Sequence, residues 1–339
     1  MIPNTAPPIL HACLSFDGVS MFFVLSGYLI GHIIFKILKE KGPSFSNLAS
    51  FWRDRWLRTL PAYYCVLIGL MAILIHYTHK TFHHFTYLFF FSENISGNSS
   101  YNIFTESWSL AVEEWFYLLI PILLFLAVRI WSLKKAVPII IVLIVLFSNA
   151  VRFYRTYKYG ILTAGPDTHT LILSKLLTSV PARIDNIMFG ILGAYLSFFR
   201  FRIWTNYKSL LFVIGITGFL GNHFYKVFSG INFYNVLLHT QVQLLFILMT
   251  FPRLSTITTG SGPIARFITF TSTISYSIYL IHMSTFILAV MPRFPLNTWI
   301  LLPVYYLWAF GGGYLLHITV EKWGLQLRDK LRTQKSLRN

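Results

Sequence analysis

Three stretches of this sequence set charged or hydroxyl side chains among apolar residues. In SFWRDRWLRTLP (50–61), Arg55 and Arg58 stand three apart and share one face of a helix. Two guanidinium forks on one face can clamp a phosphate or carboxylate together. The same residues also fit an interfacial helix whose charges set topology, with Asp54 pairing to Arg58 four residues on. In ESWSLAVEEWFYLLIP (106–121), Glu113 and Glu114 lie about one turn into an apolar helix. A carboxylate inside a bilayer costs about 2.5–3.5 kcal/mol on insertion scales, so such groups tend to serve a function. Glu113 shares a face with Ser109 and Tyr117, a stripe of hydroxyl, carboxylate and phenol; alternatively both glutamates sit wet at the outer headgroups. In PARIDNIMFG (181–190), Arg183 and Asp185 are two apart and point to different faces. Each therefore needs a partner on another helix, and an interhelical ion pair fits as well as catalysis.

Other chemistry has no footing. The sequence contains no Gly-rich phosphate loop, no HExxH and no Cys/His spacing for a metal, so no metal is expected. Cys13 and Cys65 are too few for a disulfide framework, and Cys65 falls in an apolar span as a core residue. His76, His79, His83 and His84 flank a short aromatic piece and read as solvated interfacial residues. Asn94 and Asn98 begin Asn-x-Ser triplets, which count only where glycosylation operates.

The elements carrying these residues must lie in a membrane. Hydrophobic residues make up 55% of the 339 and charged residues 12%, half the usual share of a soluble domain at about 25%. About 20 apolar residues cross a hydrocarbon core of about 30 Å. Nine such stretches are predicted, near 18–38, 60–79, 109–129, 136–151, 183–199, 209–225, 231–251, 270–291 and 298–320. Residues 82–92 are too short to cross and read as an interfacial or re-entrant piece. Lipid leaves backbone groups no other partner, and no alternating ten-residue pattern suggests a barrel, so the fold class is all-α: a polytopic transmembrane helical bundle. The net charge of +17 is distributed by topology, which argues against nucleic acid. Lys and Arg concentrate in 36–58, 129–135, 200–208 and 253–266 and beyond Lys322. The positive-inside rule makes that side cytoplasmic, with the C-terminus. Nine spans then leave residue 1 outside, although MIPNTAPPIL has no basic signal-peptide start. The expectation is a missing upstream helix, giving ten spans, with residues 1–322 as the transmembrane domain and 323–339 as a basic cytoplasmic tail.

Five segments now form a pattern. DGVSMFFVLSGYLIG (17–31), RDRWLRTLPAYY (53–64), ESWSLAVEEWFYLLIP (106–121), PARIDNIMFGILGAY (181–195) and ISYSIYLIH (274–282) resemble, in order, the motifs of the membrane acyltransferase-3 family. The resemblance implies an O-acyltransferase of the cell inner membrane. It would take an acyl group, usually acetyl, from coenzyme A on the cytoplasmic side and pass it to a sugar hydroxyl of an envelope glycan or lipid-linked precursor. Acyl-coenzyme A would be a co-substrate, with no cofactor bound permanently. By resemblance Arg55 and Arg58 match the donor-binding arginines, Glu113 the glutamate of the Trp-Ser-Leu motif, and Ser26 with Gly27 the Ser-Gly pair. A sugar hydroxyl is a poor nucleophile at neutral pH, and a positioned imidazole contributes about 10²–10⁴ in rate. The thioester oxyanion also needs donors, for which an Arg or Trp108 are candidates, with Tyr117 in support. The family carries its catalytic His on a helix ahead of FFVLSG. Here His11, seven residues before Gly18 in an outer-loop stretch, is the candidate. Ser20 stands where the family often has Asp, and Glu321-Lys-Trp replaces a common Glu-x-Pro. Two other functions stay open: a non-enzymatic membrane transporter of a glycan or metabolite, and a catalytically dead, truncated acyltransferase. No second copy of the FFVLSG or Trp-Ser-Leu segments suggests the repeats of a transporter.

Overall fold

Every regular element among the described residues is helical, as expected of a chain whose backbone must satisfy itself in lipid. The computed structural model describes residues 17–78, 85–95, 104–162, 173–199, 201–229, 232–258, 260–294 and 298–336. The long helices are α1 (Gly18–Glu40), α2 (Phe45–Thr78), α3 (Ser107–Ala127), α4 (Leu133–Lys158), α5 (Val180–Phe199), α6 (Lys208–Ser229), α7 (His239–Leu254) and α8 (Pro263–Ile281). The last stretch is α9 (Thr298–Leu307), α10 (Gly313–Leu316) and α11 (Lys322–Ser336), joined by π-turns at Trp308–Gly312 and His317–Glu321.

Among the described residues, seven helical stretches are long and apolar enough to cross a membrane: α1, α2, α3, α4, α6, α8 and the joined stretch Trp299–Gln334. The protein is a multi-pass membrane protein. Two of the nine expected spans fall short of that measure. Arg183, Asp185 and Asn186 lower the hydropathy of α5, and α7 has 16 residues, about 24 Å of rise.

The chain divides into two compact units. The first comprises residues 1–47, 94–99 and 112–258. Its α1 begins at Asp17, whose carboxylate accepts the Ser20 N–H at 3.0 Å and the Ser20 hydroxyl at 2.6 Å, a side-chain N-cap. Burial alone would raise the Asp17 pKa; Arg183 and the two Ser20 donors outweigh it and hold the carboxyl below its usual range. Helix α1 runs along α5 at very close range. A Cβ on Gly27 would collide with the Ile187 carbonyl, and one on Gly190 with the Val24 carbonyl. Small residues allow this approach, which is how helices gain packing energy in lipid. Val24, Phe189, Leu244, Ile247 and Leu248 form the core behind it. Phe22, Leu25, Leu29 and Ile33 of α1 and Val142, Leu146 and Phe147 of α4 face outward, the lipid side of helices that are apolar all round.

The second unit comprises residues 48–93, 100–111 and 259–339. Helix α2 runs unbroken for 34 residues, about 50 Å. Residues 50–61, which fall between the spans expected at 18–38 and 60–79, thus lie in the first half of a helix that continues into the span. After it, the short helix Thr86–Phe89 is held by Tyr63, which donates to the Leu88 carbonyl at 2.8 Å, and Tyr64, which donates to Phe89 at 3.0 Å. Phe91 takes φ +52° to turn the chain. Helix α8 starts at Pro263, a proline at the first helical turn, and ends at Ile281, so the span expected at 270–291 is shifted toward the N-terminus. The stretch expected as a basic tail is helical through Ser336.

Candidate active site

In the second unit, α2 carries Arg55 half-buried and Arg58 exposed, three apart on one helix. Asp54 does not pair with Arg58. Its Oδ1 accepts from Arg53 at 2.8 Å and its Oδ2 from Arg332 of α11 at 2.8 Å, so both carboxylate oxygens are already engaged. Just beyond, Pro61 has no N–H for the Leu57 carbonyl, and Gly324 packs against that oxygen, where any Cβ would collide. Tyr276 of α8 donates to the Thr59 carbonyl at 2.8 Å. The arginine-bearing turn is therefore fixed from two neighbouring helices.

A denser polar cluster surrounds the start of α3. The Glu106 carboxylate, 2% exposed, accepts the N–H groups of Met283 at 2.9 Å and Ser284 at 2.8 Å and also the Ser284 hydroxyl. Ser284 Oγ in turn accepts the Thr105 N–H at 2.7 Å. The Ser109 and Tyr279 hydroxyls share a 2.5 Å hydrogen bond, and Ser109 donates to the Glu106 carbonyl at 3.2 Å. His282 Nδ1 lies 2.8 Å from the Tyr279 carbonyl and 3.8 Å from Glu106 Oε1. Trp108 is half-buried beside these residues in the chain. Lower on the terminal stretch, buried Glu321 accepts from Ser277 at 2.7 Å and from His317 Nδ1 at 2.9 Å, where a π-turn replaces the α-helix.

In the first unit, Ser26 and Tyr117 meet in a buried 2.7 Å hydrogen bond between their hydroxyls. Glu113 and Glu114 are both buried in the protein, which removes the reading in which they sit wet at its surface. The Ser109–Glu113–Tyr117 stripe lies on one helix, but its two hydroxyls serve different partners, Tyr279 and Ser26. Arg183 and Asp185 find partners on other elements, as their spacing required. Arg183 lies 3.7 Å from Asp17 and donates to Ser20 and Thr240, each at 3.4 Å. Asp185 takes Arg152 of α4 at 2.6 Å and the Gln241 amide of α7 at 2.7 Å. These are interhelical ties. An apolar cleft of about 730 Å³, lined by Met21, Tyr28, Phe219 and Thr250 among others, carries none of the candidate residues.

Asn94 is 1% exposed, a position no glycan could occupy. His11 and Asn98 lie outside the described residues, as do His79, His83 and His84. Among the described residues, no three His, Cys, Asp or Glu stand together as metal ligands. Sequence reasoning missed Glu106 and His282. The available signals were an acid immediately before the Trp-Ser-Leu segment and a His closing ISYSIYLIH, at two helix ends whose meeting only the fold reveals.

A family model described as an acyltransferase domain matches residues 7–318. The chain belongs to the acyltransferase-3 family. Its similarity to curated proteins is partial. Over 120 residues it is 32% identical to the peptidoglycan O-acetyltransferase OatA of Listeria monocytogenes, which covers 31% of this chain and 19% of that protein. Over 164 residues it is 28% identical to the putative peptidoglycan O-acetyltransferase YrhL of Bacillus subtilis, covering 43% and 25%. A putative O-acetyltransferase of Staphylococcus aureus is 26% identical over 214 residues, covering 57% and 31%. The matched region thus spans less than a third of the length of each of these relatives. No solved structure matches the chain.

Proposed function

We propose that this chain is an integral membrane O-acyltransferase that moves an acyl group, acetyl in the first instance, from acyl-coenzyme A to a sugar hydroxyl of a cell-envelope glycan or its lipid-linked precursor. The relatives named for peptidoglycan make a peptidoglycan sugar one candidate acceptor. The membrane is the cell inner membrane, with the C-terminus and the start of α2 cytoplasmic, on the basic side of the chain. Arg55 and Arg58 hold the phosphates of the donor. The observation that carries this role is the exposed Arg58, released by an Asp54 that is satisfied by Arg53 and Arg332. Trp108 or an arginine serves the oxyanion of the thioester, and Ser26 with Tyr117 and the buried Glu113 supports the bundle near the acyl path. His11 is one candidate for the base.

The test is donor binding. Replacing Arg55 or Arg58 by Ala in the membrane-inserted chain should weaken coenzyme A binding by about 1.5–3 kcal/mol, the value of a charge-assisted hydrogen bond. Lys should restore little of it, because it lacks the planar fork. Unchanged donor affinity in a correctly inserted double variant would make these arginines topological charges and remove the main support for the donor assignment.

A further inference from the structure

We infer that the cleft between α1 and α6 is a lipid site, which holds one long hydrocarbon chain with a phosphate at its outer end, the form of a lipid-linked glycan. The inference rests on the acyl-transfer reading above only for what that lipid carries, the acceptor sugar.

The cleft opens because glycine contacts draw its walls toward other helices. Gly27 and Gly190 bring α1 onto α5. On α6, a Cβ at Gly215 would meet the Phe246 carbonyl of α7, and one at Gly218 the Phe246 ring. Helices α1 and α6 are left apart, and α7 lines the gap between them, about 730 Å³. That lies within the range of small-molecule pockets, about 300–1,000 Å³. Met21, Leu25 and Leu29 of α1 and Ile216 and Leu220 of α6 line it and are exposed, so in a membrane the cleft opens sideways into lipid. Three lining residues carry hydroxyls, and each is already used. Thr250 donates to the Ile247 carbonyl at 2.7 Å, Ser255 to the Pro252 carbonyl at 3.0 Å and Tyr28 to the Ser197 hydroxyl at 3.5 Å. A guest therefore meets only hydrocarbon and ring surface.

The outer rim is charged. Lys226 stands seven residues beyond Phe219 on α6, on the cleft-lining face and about 10 Å further along the axis. Asp17 caps α1 one turn before Met21 and lies 3.7 Å from Arg183. Lys226 acts electrostatically on Asp17, on Arg183 and on His239 at the start of α7. Arg183 is buried and matched by Asp17, whereas Lys226 is exposed and makes no hydrogen bond or ion pair among the described residues. One positive charge is thus left at the rim, the complement of a phosphate. Lys226 is 18 residues from Lys208, which belongs to the basic side, so on the proposed topology the rim faces outward, about 27 Å away. Rim and cleft follow one another as head and chain do in a lipid of the outer leaflet. A single groove suits a one-chain carrier; a two-chain phospholipid would leave one chain outside.

The experiment measures binding of radiolabelled farnesyl phosphate to the full chain in phosphatidylcholine nanodiscs, without acetyl-coenzyme A. Lys226→Ala should weaken binding about 10–100-fold, the loss of one charge-assisted hydrogen bond, and farnesol should compete equally well in parent and variant. Ile216→Trp or Leu220→Trp, each placing a ring in the cleft from an exposed position, should abolish binding while melting as the parent does. Unchanged affinity in Lys226→Ala or in both Trp variants would overturn the site. Equal competition by phosphatidylglycerol built into the discs would make it a general phospholipid groove, and equal competition by inorganic phosphate a bare anion site; either overturns the inference. A parent that binds farnesyl phosphate but transfers no acetyl group to a lipid-linked glycan would overturn the functional reading and leave the site standing. Transfer to that glycan with its KM unchanged in Lys226→Ala and Ile216→Trp would overturn the site alone.

Discussion

Glu93 shows how far one side chain can be pushed by its surroundings. It lies in the turn after the short helix Thr86–Phe89, outside the spans, and is 9% exposed. Burial pushes its carboxyl up to about 7; Ser107 beside it opposes this only in part, since that hydroxyl is already given to the Phe104 carbonyl at 2.7 Å. An unfolded chain releases this proton near pH 4.5. Between there and about 7 the folded chain holds a proton that the unfolded chain has lost, so stability falls as pH rises through that window, by about 3 kcal/mol at most. Glu93→Gln should remove the fall. Thermal unfolding should show the variant more stable than the parent at about pH 8 and equal to it at about pH 4; equal stability at both would refute the account. The sequence did not announce Glu93, because nothing in SENI distinguishes a buried acid from a wet one. Arg183 and Asp185 were legible, since two charges on different faces of an apolar helix must each be met. Glu106 and His282 were not, because each sits at a helix end where periodicity stops carrying information.

Helices were legible as apolar stretches but not in their bounds. Helix α2 starts at Phe45 rather than near residue 60, because the charged residues 50–58 are as helical as the apolar span that follows them. Helix α8 stops at Ile281 because a distant group intervenes. Glu106 takes the N–H groups of Met283 and Ser284, and His282 Nδ1 takes the Tyr279 carbonyl that would have received one of them. No reading of local sequence contains that competition. The packing of α1 on α5 depends on the absence of side chains at Gly27 and Gly190. Gly190→Val should therefore force the two helices apart and destabilise the first unit by about 1–3 kcal/mol or more. Gly221→Val on α6, where a Cβ would meet nothing within 4 Å, is the control and should be close to neutral. Detergent-resistant thermal unfolding separates the two; equal melting temperatures would show that the helices have room to give.

At the scale of the whole molecule, the membrane assignment followed from composition, and the seven qualifying stretches bear it out. Helix α5 falls short for a reason with a consequence for how the chain is made. A segment leaving the translocon meets lipid before it meets later helices; an Arg or Asp costs about 2.5–3.5 kcal/mol at a helix centre and less toward its end, where Arg183 and Asp185 stand in α5. The partners that relieve α5 on the N-terminal side, Asp17 and Arg152, are synthesised before it; Thr240 and Gln241 come after. Insertion of α5 is therefore expected to be assisted by helices already in place, which would make the order of synthesis part of the folding code. Cysteines placed at exposed Tyr157 and Tyr207, which flank α5, should label from opposite sides once Cys13 and Cys65 are replaced by Ser. Arg152→Leu should leave a fraction of chains with both positions on one side, and adding Asp185→Leu should restore the parent pattern. If Arg152→Leu leaves labelling wholly two-sided, α5 enters the bilayer without help. Otherwise a substitution in α4 would change which side every later helix faces, an error of biogenesis with no counterpart among the contacts of the finished protein.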